Sequence, residues 1–478
     1  MLLGIDLGTS SVKVVVMAED GSVQKSASAG YAIDSPRQGW AETDPGAWWV
    51  ATASAVASLG SLGAVEAVGV AGQMHGLVLT NGEGRALRPA VLWADERSTL
   101  EVDRYRRLDP HLLRRLANPP ATGMAGPTLL WLRTHESQLY ASARWALQPK
   151  DWLRMQLTGE AYSEPTDASA TLLYDLVDDS WSSQLLRELQ LRADLLPELV
   201  AGEQPAGRLT EKAAGELGLK AGIPVAAGAA DIAASLVGHG VLAPGPVLLT
   251  IGTGAQMTTV RNALVADPTM RTNVFRTVET GRCYSMAAIL NAGLALDWVR
   301  RLFGAGWDEL YGSIERVPRG SGGVTFLPYL VGERAPGPGA GARAAWSGLA
   351  LHDGKEHLFK AALEGVAFEL RQAAEALEAT GVSIGDIQLA GGGAANHAWR
   401  QLLADVQGKR LLAVAAPAGA ARGAALLAGV AAGIYRSVQE TAAIAPRCDL
   451  VAEPGVDADT YSTLYREWRA MSPRNSIN

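Results

Sequence analysis

Two isolated carboxylates carry the chemistry this sequence can do. Asp231 closes the run GIPVAAGAAD, and the stretch Gly222–Gly238 around it holds no other charge. A carboxylate is costly to bury there without a partner or a task. Standing where a strand should end and a helix begin, Asp231 can cap that helix. It can also act as a general base, taking the proton of a hydroxyl as that oxygen attacks a phosphoryl group. Asp6 ends the apolar run Leu2, Leu3, Ile5; Gly8, Thr9 and Ser10 follow, and then a second run from Val12 to Met17 that includes Lys13. Small residues let a backbone approach a ligand, and the amides and hydroxyls of such a turn can cradle a phosphate. Asp6 would then face a metal-phosphate complex and hold Mg²⁺ directly or through water.

The elements that must position these residues are legible as strand, turn and returning strand from Leu2 to Met17. The pattern restarts at VLLTIGTGAQMTTV, Val247–Val260, with Gly252, Thr253 and Gly254 in its turn. Two such hairpins half a chain apart suggest duplicated domains that each present a phosphate-facing turn, although Gly and Thr are the usual occupants of any turn. Between them, a strand over Val65–Ala71 runs into Gln73, Met74 and His75, and Ala90–Ser98 brings Asp95 and Arg97 to a second polar strand end. His75 can exchange a hydrogen bond with a sugar oxygen beside a Met74 wall, or be satisfied by its own loop; Asp95 and Arg97 can grip hydroxyls or brace each other. Asp44 before Pro45 reads as the cap of a helix carrying Trp48 and Trp49, and Gly159 closes a short helix from Pro149. Thr166–Thr171, with Asp167, reads as a tight crossing of backbones near a cleft. Pro197–Gly222 reads as a surface excursion with strand and helix fragments.

In the second half, Met286–Gly304 reads as a helix with one buried face, and Glu333 with Arg334 as a loop ion pair. Leu358–Leu377 reads as a long helix with Glu364 and Glu369 at its polar margins. Ile387–Gly408 is a strand, three glycines and a helix starting near Asn396; Gly391 and Gly392 let a ring or ribose lie against the backbone, but the spacing is neither a Rossmann fingerprint nor a Walker A loop. Pro417–Gly433 reads as a small-residue helix packed tightly on a sheet, and the residues after Met471 as a frayed tail.

Composition sets the class. A chain of 478 residues, 48% hydrophobic and 19% charged, calls for two large folded domains with a cleft between them. Its 42 basic and 49 acidic residues give a net charge of -7 without a basic block, so nucleic acid is not an expected partner. Cys283 and Cys448 fit neither a disulfide framework nor a cysteine metal site. The start of the chain lacks a basic leader, and Gly423–Ile434, its longest apolar stretch, is too short to span a membrane; a cytoplasmic protein with no membrane partner is expected.

Together, GIDLGTSSVK at 4–13, AGQMHG at 71–76, LRPAVLWADER at 87–97, PKDWLRMQLTGE at 149–160, the GAAD ending at Asp231, LTIGTGAQ at 249–256, FLPYLVGERAP at 326–336, LEGVAF at 363–368 and LAGGGAANHAWRQLLAD at 389–405 resemble the FGGY family of carbohydrate kinases over nearly the full length. The resemblance implies an α/β fold of two ribonuclease-H-like (actin/hexokinase-like) domains flanking a catalytic cleft, 1–243 for sugar and base and 244–478 for nucleotide. It implies ATP-dependent phosphorylation of a pentulose, D-xylulose to D-xylulose 5-phosphate. Another ketose or polyol (ribulose, hexulose, glycerol), or a non-catalytic sugar-binding role, is the alternative. It further implies Asp231 as base; Met74, His75, Asp95 and Arg97 at or around the sugar; Gly8, Thr9, Lys13, Gly252 and Thr253 near the phosphates; Gly391, Gly392 and Asn396 near the adenosine; and Asp6 with Asp231 at magnesium. A homodimer is the expected assembly. Three departures bear on sugar and nucleotide preference: Ala94 and Glu96 in WADER where WNDGR is familiar, GAAD for GGGD, and Ala255-Gln256 where serine and glycine are typical.

Overall fold

The computed structural model describes residues 1–333, 336–339, 341–415 and 418–471, so the readings on Arg334, on Pro417 and on the tail after Met471 lie outside the described residues. Within them the chain builds two seven-stranded sheets. The first consists of β1 (Leu2–Leu7), β2 (Ser11–Met17), β3 (Val23–Gly30), β4 (Ala67–Gly72), β5 (Pro205–Arg208), β6 (Pro224–Ala226) and β7 (Ala229–Ala230). Its order is β5-β6-β4-β1-β2-β3, with β7 on the side of β4. The second consists of β8 (Val247–Ile251), β9 (Ala255–Arg261), β10 (Asn273–Arg276), β11 (Cys283–Ile289), β12 (Ile387–Ala390), β13 (Leu411–Val414) and β14 (Cys448–Ala452), ordered β10-β11-β9-β8-β12-β13-β14.

Six strands of each sheet match in order and direction, β7 of the first and β10 of the second standing outside the match. In each, a hairpin (β1-β2, β8-β9) gains a third antiparallel strand on one side (β3, β11). On the other side, each has two parallel strands (β4-β6, β12-β13) and an antiparallel edge (β5, β14). β1 is buried along almost its whole length, as expected for a strand covered on both faces.

The helices that matter for the site are α1 (Pro45–Ser58), α2 (Pro149–Thr158), α3 (Pro165–Ala168), α4 (Asp231–Gly238), α5 (Gly293–Leu302), α6 (Lys355–Glu378), α7 (His397–Gln407) and α8 (Gly419–Ala431). Asp44 does cap α1, accepting from the Gly46 amide, and Gly159 closes α2 in the left-handed region. α8 is the tightly packed small-residue helix, but the sheet beneath it is the first one, not that of its own half. Gly4 and Gly69 stand side by side in the β1-β4 register, and a Cβ on either would sit 1.9 Å from an α8 carbonyl, of Ala421 or Ala424. Gly423 on α8 and Gly238 on α4 meet each other's helix as closely. Real Cβ atoms never approach that near, so glycine is required at these crossings. The resulting core joins Leu2 and Ala71 of the first sheet, Leu236 of α4, Leu427 of α8 and Leu248 and Tyr284 of the second sheet, stitching the lobes together.

Three readings change. Met286–Ile289 belongs to strand β11, and the helix starts only at Gly293; an apolar stretch in a sheet covered on both faces shows no period that separates it from a buried helix. Glu364 and Glu369 are not marginal on α6 but buried in it, 3% and 0% exposed. Hydrogen bonds replace water there: Glu364 accepts from the Gly320 amide and the Ser321 and Tyr461 hydroxyls, Glu369 from the Tyr329 hydroxyl. Pro197–Gly222 is more than a surface excursion, since it supplies the edge strand β5. Both cysteines are free, and among the described residues no helix is long and apolar enough to cross a membrane.

Candidate active site

Strand register brings the chemistry together. Asp6 on β1 lies opposite Ala71 on β4, and Ala71 opposite Ala229 on β7. Asp6, the Gln73-Met74-His75 segment and Asp231 therefore leave the same end of neighbouring parallel strands, the carboxyl end, where open α/β sheets bind ligands. Asp231 is the first residue of α4, and its Oδ1 accepts from the Ile232 amide at 2.7 Å.

Burial sets the charge of both acids. It raises the Asp231 carboxyl from its ordinary value to about 7, and the neighbouring charge of Asp6 pushes in the same direction. Asp6 itself is raised to about 6 by burial, against the opposing pull of Lys13, its partner across the β1-β2 hairpin. The buried Oδ1 of Asp6 has no hydrogen-bond partner among the described residues. Among the described residues no group of three or more His, Cys, Asp or Glu could hold a metal ion. A cation at Asp6 and Asp231 would have to complete its shell with phosphate oxygens and water, which is the habit of Mg²⁺.

The corner around Met74 and His75 is built from both lobes. His75 holds φ at 73°, a region few non-glycine residues occupy, and its Nδ1 donates to the Ala170 carbonyl at 2.7 Å. A carbonyl only accepts, so the proton sits on Nδ1 and Nε2 is the acceptor of the neutral ring. The second lobe contributes Phe275 on β10, whose ring centroid is 5.9 Å from that of His75, and Tyr284 on β11, whose hydroxyl reaches the buried Met74 sulfur at 3.7 Å. Neither aromatic was singled out from the sequence; each sits in a strand that reads as core. Asp95 and Arg97 form a brace. Asp95, 1% exposed, accepts from the Ala41 amide and from the Arg97 amide and guanidinium, while Arg97 also pairs with Glu42 and stacks on Trp40. The pair thus forms the brace that the sequence offered beside gripping hydroxyls, with Arg97 Nη1 left buried and without a hydrogen-bond partner among the described residues. Ala94 and Glu96, on either side of Asp95, are exposed.

The two turns differ in how they are supported. In the first, the Gly8 amide donates to the Ser11 carbonyl, and the Gly8 carbonyl accepts from the Tyr31 hydroxyl and the Gln73 side chain. Trp93 donates its indole N–H to the Thr9 hydroxyl at 3.0 Å, a link that only the fold reveals. In the second, Gly252 and Thr253 are exposed, and their carbonyls accept from the Gly293 and Leu294 amides, so the first turn of α5 seats on this hairpin. Glu333 is buried and accepts from the Leu290 and Asn291 amides just before α5. Gly391 lies beside the same turn, with φ at 87° and a Cβ position 2.5 Å from the Ile251 carbonyl, so only glycine fits. Asn396 caps α7 through Oδ1, which accepts from the Trp399 amide.

Comparison with known proteins fits this geometry. The sequence model of the N-terminal domain of the FGGY family of carbohydrate kinases matches residues 1–238, and that of its C-terminal domain matches residues 247–432. The xylulose kinase of Bacillus subtilis is 32% identical, covering 98% of each chain. That of Escherichia coli is 35% identical over 97% of this chain and 96% of the relative. A solved structure described as a xyloylose kinase from Brucella ovis superposes with a TM-score of 0.91 at 32% identity, covering 99% of this chain and 98% of that one.

Proposed function

The chain belongs to the FGGY family of carbohydrate kinases, and from that premise we infer that it transfers the γ-phosphoryl group of ATP to D-xylulose, giving D-xylulose 5-phosphate. The observation that carries this reading is the convergence of Asp6, Met74-His75 and Asp231 at one end of neighbouring parallel strands. The matching strand order supports taking each lobe as one ribonuclease-H-like unit of an actin/hexokinase-like pair, residues 1–243 serving the sugar and 244–478 the nucleotide.

In this mechanism Asp231 orients the terminal hydroxyl of the sugar and accepts its proton as the oxygen attacks in line at the γ-phosphorus. A carboxyl whose value lies near 7 is suited to taking a proton at neutral pH. His75, held through Nδ1, offers Nε2 to a sugar hydroxyl, and Met74 forms an apolar wall backed by Tyr284. Thr9, Ser10 and Lys13 on one side and Gly252 and Thr253 on the other bind phosphate oxygens, while Gly391, Gly392 and Asn396 line the nucleoside. Asp6 and Asp231 would hold Mg²⁺, which neutralises phosphate charge when bound; the partnerless Asp6 Oδ1 fits that role. Closure of the lobes excludes water, which would otherwise compete as acceptor. A coupled ADP-release assay across pentuloses, hexuloses and polyols tests the substrate: D-xylulose should show the highest kcat/KM, and a higher value for ribulose, a hexulose or glycerol would replace it.

A further inference from the structure

The segment Glu164–Thr171 has no part in the chemistry as described, yet it is bonded to its principal parts. Ala230, the residue immediately before Asp231, is the N-cap of α4 and has no side chain with which to cap it. Its amide instead donates to the Thr166 hydroxyl oxygen at 2.8 Å. Thr166 in turn donates to Glu164 Oε1 at 2.8 Å, and Glu164 also accepts from the Thr166 and Asp167 amides. Lys150 on α2 reaches the same Glu164 oxygen at 3.3 Å, and Asp151 at 2.5 Å. Arg154, one turn on, bonds Asp151 and the Ala227 carbonyl just ahead of β7. Four residues beyond Thr166, the Ala170 carbonyl accepts from His75. Ser169 between them accepts from the Arg276 amide of the other lobe.

Lys150, Asp151, Arg154, Glu164 and Asp167 are all 0% exposed. A buried ionic cluster of this kind adds little stability over an apolar core of equal volume, whereas its fixed hydrogen-bond directions hold backbone segments in register.

We propose that Thr166, oriented by Glu164 and Lys150, is a positioning residue that fixes Asp231 through the Ala230 amide, and that its segment sets the spacing between Asp231 and the sugar-reading His75. The inference rests on the reading of Asp231 as the base. The ion pair of Lys150 with Glu164 and the hydrogen bonds from Thr166 to Glu164 and from the Ala230 amide to Thr166 end one residue from the reacting carboxylate, and the Ala170 carbonyl fixes the imidazole from the same backbone.

The test compares Thr166→Val, Thr166→Ser and Glu164→Gln with the parent enzyme for kcat, for KM of sugar and of ATP, and for thermal midpoint. Thr166→Val keeps the shape but loses the oxygen; its kcat should fall roughly 10- to 100-fold while the ATP KM stays within about twofold, the cost of a misplaced catalytic group. Thr166→Ser restores the hydroxyl and should recover most of the rate. Parental kcat in Thr166→Val, or a serine variant as impaired as the valine one, overturns the proposal. If the valine variant does not fold, Glu164→Gln carries the same test: a lowered kcat with unchanged ATP KM supports the proposal, and an unchanged kcat overturns it. Near-parental kcat in Asp231→Ala would instead overturn the assignment of the base, and is thereby told apart.

Discussion

The leading hairpins of the two lobes are built alike and differ in charge. In the first, Asp6 stands opposite Lys13; at the corresponding place in the second, Thr250 stands opposite Gln256. The neighbouring parallel strand is Ala71 on β4 in one case and Ala390 on β12 in the other. One frame thus offers an acid and a base beside Asp231, and its twin offers only neutral hydrogen-bonding groups beside the glycines 391–393. The second lobe has acids too, but keeps Glu364 and Glu369 inside its core. On the proposed mechanism, charge stands where the phosphoryl group changes hands and is withheld where the polyanion only docks, since a carboxylate there would repel it.

The most direct way to break this comparison is to empty the charged side. Asp231→Ala should lose roughly 10²- to 10⁴-fold in kcat, the range of a general base, with ATP binding retained by calorimetry. Asp6→Asn should come next, lowering kcat and also shifting the pH profile. Asp231 must be deprotonated to act, so parental kcat/KM rises with pH through about 7; removing the Asp6 charge lowers that value and moves the acid limb to lower pH. A limb that stays in place would show that burial alone sets it. Thr250→Asp makes the second hairpin resemble the first: the ATP KM should rise by about tenfold, from like charge beside phosphate, with the sugar KM unchanged.

The smallest effect concerns the hidden acids. Burial, with Glu333 adding to it and the Tyr329 hydroxyl opposing, raises Glu369 to about 8 in the folded protein. The folded chain therefore keeps this proton where the unfolded chain releases it. The Glu369 contribution is complete at low pH and is lost as pH rises through about 8. Glu369→Gln cannot ionise, so its thermal midpoint should fall less than the parent's between about pH 5 and about pH 9.

Local pattern was enough for much of the site. The Leu2–Met17 and Val247–Val260 hairpins, the cap at Asp44 and the turn at Gly159 are statements about neighbours in sequence, and each stands in the fold. Asp6 and Asp231 were legible because a lone carboxylate at the end of an apolar run is conspicuous. Phe275 and Tyr284 were not, because an aromatic in a strand reads as core until the opposite lobe arrives, and the bond from Trp93, which sits in a turn, to Thr9 joins residues far apart in sequence. The buried Glu364 and Glu369 went unread for the reverse reason: their partners at Ser321, Tyr461 and Tyr329 lie tens of residues away.

The order of residues by itself determined the repeated hairpin and the isolation of Asp231, because each depends on what stands next to what along the chain. Tertiary structure alone decided that α8 from the second half roofs the first sheet and requires glycine at 4, 69, 238 and 423, that Asp95 and Arg97 brace each other, and that Thr166 secures the residue before Asp231. Those outcomes depend on which distant backbones come within hydrogen-bond or van der Waals reach. Only burying the apolar faces of both sheets and the helices between them sets those distances.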